Sequence, residues 1–139
     1  MTRVVADSNI IVSALRFGGK PEKFLRAAEE GLYVLVLSDA ILSETAEVLA
    51  RKFGLTADRA ASHLGRIRKS ADLIVTNLTI AACVDPDDNR ILEAAVEGRA
   101  DFIVTGDKHL LRMKTFRGID ILTVSDFLVR MAAVTPERE

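Results

Sequence analysis

Tryptophan is absent from this chain, and tyrosine and cysteine each occur once among 139 residues. A lone cysteine, Cys83, cannot close an internal disulfide, which fits a reducing cytosol. Its expected role is that of a small buried hydrophobe rather than a reactive thiol. Aromatic residues make up only 5% of the chain, which excludes an extended stacking platform for planar ligands. No apolar run approaches the roughly 18 residues of a membrane span. Arg3 precedes an apolar, strand-like run without a small-residue cleavage site, so no signal peptide is expected and a cytoplasmic location follows. Repeats, linkers and low-complexity segments are missing. The net charge of −1 points to no partner by itself.

What the chain does have is apolar residues in short, regular blocks. They account for 49% of the sequence, enough for a single well-packed domain at this length. The expected domain covers residues 1–134, with "TPERE" at 135–139 as a frayed tail. "TRVVAD", "YVLVLS", "DLIVT", "DFIVT" and "DILTV" read as five strands. The continuous "YVLVLS" is the pattern of a strand covered on both faces.

Helices are expected between the strands, over Pro21–Glu30, Asp39–Phe53, Thr56–Lys69, Asn89–Glu97 and Asp126–Ala133. Proline at a first-turn position and glycines at 31, 54 and 98 mark several of their ends. No helix is assigned before Pro21. Strand–helix alternation of this kind predicts an α/β protein with three layers, α/β/α, around a parallel sheet of about five strands.

In such sheets ligands bind beyond the carboxyl ends of the strands, where strand order reverses. Asp7 ends the first strand-like run, and Asp107 lies two residues beyond "FIVT". Asp88 directly precedes the helix that leads back to that strand. If the first and fourth strands are neighbours, the three carboxylates converge on one rim. Crowded like charges raise one another's pKa, and a divalent cation such as Mg²⁺ or Mn²⁺, which favours oxygen ligands, removes the conflict. Each acid also has a plainer reading. Asp87 or Asp88 could cap the following helix, Asp85 before Pro86 reads as a turn, and Asp107 could cap a short helix through Leu110 and Leu111.

At these residues a resemblance becomes specific. "VADSNIIVSAL", "LSDAILSETAEVLARKF" and, above all, "DPDDNRILEAAVEGRADFIVTGDKHLL" resemble the acidic motifs of the PIN domain family, in its prokaryotic branch of VapC-type ribonuclease toxins. The similarity runs from about Arg3 to Leu128. It implies a sheet ordered 3-2-1-4-5 and an Mg²⁺- or Mn²⁺-dependent endoribonuclease. The metal and catalytic acids would be Asp7, Glu44, Asp88 and Asp107, with Asn9 and Thr105 supporting them from behind. It also implies 5′-phosphate and 3′-hydroxyl products, a homodimer and an inhibitory antitoxin partner. Glu44 rests on the resemblance alone: on a helical wheel it lies away from the apolar stripe, where a solvated face is the ordinary reading.

Two basic stretches could track an RNA backbone. Between Arg51 and Lys69 there are six Lys or Arg against the single acid Asp58, and Lys108, Arg112, Lys114 and Arg117 form an acid-free second group. Either could equally be a solvated helix face. A haloacid-dehalogenase-like phosphatase fits less well, because its Asp-x-Asp motif meets Asn9 at the third position and no matching lysine is evident. A phospho-receiver domain needs an aspartate where the third strand ends in "LIVTN". A PIN-like scaffold without activity is a further alternative, against which the intact acid set argues.

Overall fold

The computed structural model describes residues 1–134, so the expected tail at 135–139 lies outside the described residues. The elements are β1 (Arg3–Ala6), α1 (Ser8–Arg16), α2 (Gly19–Glu29), β2 (Val34–Ser38), α3 (Asp39–Phe53), α4 (Ala57–Ser70) and β3 (Ala71–Ile74). They continue with α5 (Pro86–Glu97), β4 (Phe102–Val104), α6 (Lys108–Met113), β5 (Thr115–Phe116), β6 (Ile119–Leu122) and α7 (Val124–Val134).

The sheet runs β3-β2-β1-β4-β6-β5. All pairings are parallel except β5 with β6. The first five positions reproduce the expected order of 3-2-1-4-5. The sixth strand corrects the count and makes the sheet mixed. It arises because Arg117 and Gly118 both adopt positive φ, the conformation that folds a two-residue hairpin turn. Val4, Val5 and Ala6 are all fully buried. Successive strand residues face opposite ways, so β1 is covered on both sides, as a three-layer arrangement requires.

Helix α1 is a second departure. Ile10, Ile11 and Val12 favour extended backbone, and this hides the helix. Asp7 starts it: its carboxylate accepts a 3.0 Å hydrogen bond from the Ile10 N–H, and Ile10, Ile11 and Ala14 then enter the core. Helix α5 begins at Pro86 rather than Asn89, with Asp85 as its N-cap and proline in the first turn, a position that lacks an intrahelical N–H partner anyway. Its apolar face, Ile91, Leu92, Ala94 and Ala95, is buried against the sheet.

The ten residues after Ile74 run back along α5 without regular structure. Three side chains one helical turn apart hold this strap. Glu97 accepts from the N–H groups of Asn77 and Leu78, Glu93 accepts from Ile80, and Asn89 accepts from Cys83 while donating to the Cys83 carbonyl. The strap therefore reaches the start of α5 in a fixed position. Among the described residues, no helix is long and apolar enough to cross a membrane.

Candidate metal and nuclease site

Strand β1 is flanked by β2 on one side and β4 on the other, so the strand order reverses beside it. The carboxyl ends of β1 and β4 form the crevice where such sheets bind ligands. Asp7 follows β1 and is buried. Its carboxylate caps α1 through Ile10 and accepts a short hydrogen bond from the Thr105 hydroxyl. Thr105, fully buried just beyond β4, also accepts from the Asp107 N–H at 3.0 Å. One hydroxyl thus fixes Asp7 and the backbone of Asp107 together. Asp107 in turn caps α6, accepting from the N–H groups of His109 at 2.6 Å and Leu110 at 3.4 Å.

Asp88 enters from the first turn of α5 and is buried. Burial raises its pKa to about 6, and the charges of Asp107, Asp85 and Asp7 add to the rise. Burial likewise raises Asp7, with Asp107 adding to it, although the bonds from Thr105 and Ile10 pull it back. Glu44, in the second turn of α3, is pushed up to about 7, mainly by burial. The Ser8 hydroxyl opposes this rise by bonding to the ionised form. Asp87 reinforces it, because its carboxylate accepts a hydrogen bond that only protonated Glu44 can donate. Asp7 is thus the common neighbour: the Asp107 charge acts on it, and its own charge acts on both Asp88 and Glu44.

Two supporting residues differ from the expectation. Asn9 is exposed, and the neighbouring Ser8, only 2% exposed, is the residue that bonds Glu44. Asp87 was one of two candidates to cap the helix. It instead joins the acid rim beside Glu44, while Asp85 alone caps α5, accepting from the Asp87 N–H. Thr105 bonds both Asp7 and the Asp107 backbone. Neither Ser8 nor Asp87 carries a sequence signal stronger than adjacency to a predicted acid.

A cleft of about 630 Å³ opens beside the rim, lined among others by Cys83, Val84, Asp88, Asp107, His109 and Arg112. Among the described residues, no three His, Cys, Asp or Glu side chains are disposed to hold one metal ion jointly. The donor set nevertheless fits a hard cation. It consists of carboxylates, and Mg²⁺ is ordinarily held by only one or two of them, keeping its waters and taking further oxygens from a substrate phosphate.

The basic stretches separate. Lys69 and Arg68 lead directly into β3, whose first residue pairs with Leu35 near the start of β2. Arg66 is bound to Glu29, at the end of α2, by contacts of 2.8 and 3.0 Å. This group therefore sits at the amino edge of the sheet, away from the acids. Arg112 instead lines the cleft, and neither it nor Lys108 forms a salt bridge among the described residues. If the chain cleaves RNA, as the resemblance implies, removing the charges of Arg66, Arg68 and Lys69 is expected to leave that cleavage nearly unchanged. On the same expectation, Arg112→Ala should weaken RNA binding and flatten its salt dependence by about one phosphate contact. A salt titration of binding compares the two variants, and a larger loss in the triple variant would reverse the assignment.

The PIN domain family pattern matches residues 3–109. The chain belongs to the PIN domain family. Its relatives include the uncharacterized protein MJ1680 of Methanocaldococcus jannaschii, 32% identical over 117 residues, which cover 81% of this chain and 75% of that protein. The crystal structure of PAE2754 from Pyrobaculum aerophilum superposes with a TM-score of 0.63 at 18% identity, covering 96% of this PIN domain and 90% of that chain. VapBC2 from Rickettsia felis, bound to a DNA fragment from their promoter, gives 0.61 at 14% identity over 86% and 97% of the two chains. At these identities the two structures show a shared fold. PIN domains are generally nucleases.

Proposed function

We propose that this PIN domain is an Mg²⁺- or Mn²⁺-dependent endoribonuclease, the toxin of a toxin–antitoxin pair. The observation that carries the reading is the rim itself. Asp7, Glu44 and Asp88 are all held above their ordinary pKa values by burial and mutual charge. Unpaired carboxylates gathered this way are poorly stable without a cation, and such perturbation marks functional sites.

Bound at this rim, Mg²⁺ or Mn²⁺ would supply activation of water and stabilisation of charge on the phosphoryl oxygens. Asp7, Asp88, Asp107 and Glu44 are the residues that would hold it. Thr105 keeps Asp7 and the Asp107 backbone in register, and Ser8 orients Glu44. Arg112, on the cleft wall, is placed to neutralise a phosphate of the substrate strand. The toxin role and an antitoxin partner are part of the same proposal, supported by the fold shared with VapBC2; homodimerisation and a cytoplasmic location are added to it from the family resemblance and the sequence.

Purified protein incubated with total cellular RNA is expected to cleave it in Mn²⁺ or Mg²⁺. Cleavage should stop in EDTA and resume when the metal is restored. Undiminished cleavage in EDTA, from protein freed of contaminating nucleases, would refute the metal mechanism.

Glu44 also makes a pH-dependent prediction for the metal-free protein. Its folded pKa, about 7, lies above the ordinary value of 4.5, so the folded state holds the proton more tightly. The associated stability is complete below about pH 4.5 and is lost as pH rises through 7. Glu44→Gln removes that loss. In EDTA at pH 8 it is expected to stabilise the fold by about 1–2 kcal/mol after allowance for its partial exposure. At pH 4.5 it should have little effect. Thermal melts at both pH values decide, and an equal shift at each would mean that Glu44 is not the titrating group.

A further inference from the structure

The cleft beside the acids has two unlike walls. On one side Asp85 and Asp88 stand at the start of α5, and on the other His109, Arg112 and Met113 share a face of α6. Its floor is apolar, formed by the half-buried Cys83 and Met113, with the exposed Ala82 and Val84 at its margin. The Cys83 and Met113 sulfurs approach to 3.9 Å across it. A volume of about 630 Å³ lies within the roughly 300–1,000 Å³ of small-molecule sites. It exceeds what a row of phosphates needs, and phosphates have no use for an apolar floor.

The wall is also preformed. Both backbone polar groups of Cys83 are held by the Asn89 side chain, at 2.8 and 3.0 Å. The adjacent Val84 side chain remains fully exposed. Burial and the nearby charges of Asp88, Asp107 and Asp85 raise the Cys83 thiol above its ordinary pKa, which keeps the floor neutral at physiological pH. The folded core takes most of the few aromatics: Phe24, Tyr33, Phe102 and Phe127 pack on one another. A planar ligand at the cleft would therefore meet sulfur and aliphatic carbon. Polarizable sulfur makes favourable contacts with aromatic rings. The cation on the rim, Arg112, forms no salt bridge among the described residues and so is available to a phosphate joined to such a ligand through a sugar.

We propose that this cleft seats one unpaired nucleobase of the RNA strand, adjacent to the scissile phosphate, against the floor of Cys83 and Met113 and its margin of Ala82 and Val84. This rests on the nuclease reading above and adds a requirement to it. The substrate is favoured when single-stranded at the cleavage point, because a paired base must first be unpaired and unstacked, at a cost, before it enters the cleft. The base contact also gives the enzyme a means of choosing among bases that the phosphate contacts lack.

Cys83 is the only cysteine, so it reports directly on occupancy of the floor. The test uses the Asp7→Asn protein in Mn²⁺, which retains a helix-capping residue while turnover is suppressed. Two short single-stranded RNAs are compared, identical except that the second lacks its central base. Alkylation of Cys83 by N-ethylmaleimide is followed by mass spectrometry at concentrations that saturate binding by fluorescence anisotropy.

The base-bearing RNA is expected to slow alkylation at least about tenfold and to bind about tenfold more tightly, whereas the abasic RNA should protect weakly. The same base-bearing RNA annealed to its complement should protect much more weakly, because its base must first be unpaired. Equal protection by the intact and abasic strands, or none by either while both bind, overturns the base subsite. If wild-type protein still cleaves RNA in Mn²⁺ after that result, the nuclease reading stands without it. If neither RNA binds and wild-type protein cleaves none, both readings fall together.

Discussion

Asp88→Asn is expected to reduce RNA cleavage by about a hundredfold to a thousandfold or more while the protein remains folded. The residue is buried at the start of α5, held at a raised pKa by burial and by the charges of Asp107, Asp85 and Asp7. Asparagine keeps the size and can accept the same kinds of hydrogen bond. It removes the negative charge that a divalent cation needs. Without metal, losing one of several repelling carboxylates should raise the thermal midpoint slightly at neutral pH, because the Asp88 charge is disfavoured by its setting.

The two effects together are diagnostic. A merely structural residue would lose stability and activity in parallel, whereas Asp88 should lose activity alone. Mn²⁺ binding by titration calorimetry gives the independent readout. A variant with wild-type turnover and wild-type Mn²⁺ affinity would remove Asp88 from the site.

Gly98→Ala is expected to destabilise the fold by about 1–3 kcal/mol, lowering Tm by roughly 3–15 °C. Gly98 closes α5 with an ordinary negative φ, so backbone freedom is not why it is glycine. Space is the reason. A Cβ there would lie 2.5 Å from the Val36 Cγ1 and 2.7 Å from the Ala94 carbonyl oxygen. Val36 is fully buried in β2, and the carbonyl belongs to the helix itself, so neither can move aside cheaply. In the alanine variant α5 has to lift from the sheet at this end. Asp88 sits at the other end of the same helix, and cleavage by the folded fraction should fall less than stability does. A melt indistinguishable from wild type would show that the helix relaxes without loss.

Much of this was legible before folding is considered. The alternation of apolar strands and amphipathic helices determines a parallel α/β sheet, because each strand must be covered on both faces and each crossover needs a helix. Asp7, Asp88 and Asp107 were legible for a related reason. They stand at strand ends or helix starts in the chain itself, so their positions on the carboxyl rim follow from topology. Helix α1 was not legible, since the β-branched Ile10, Ile11 and Val12 disfavour a helix until Asp7 supplies a cap and the core takes one face.

The remaining members of the rim were decided by tertiary structure. On its own helix Glu44 belongs to the polar face, and only the packing of α3 against α1 and α5 brings it to Ser8 and Asp87. The fate of the basic residues was decided the same way. A run of charge has no side in sequence. The parallel register of β2 with β3 sends Arg66, Arg68 and Lys69 to the amino edge, and α6 leaves Arg112 over the cleft. Local sequence specifies elements and their caps through contacts a few residues apart. Which side chains share a pocket depends on how the elements pack, and those contacts join residues dozens of positions apart.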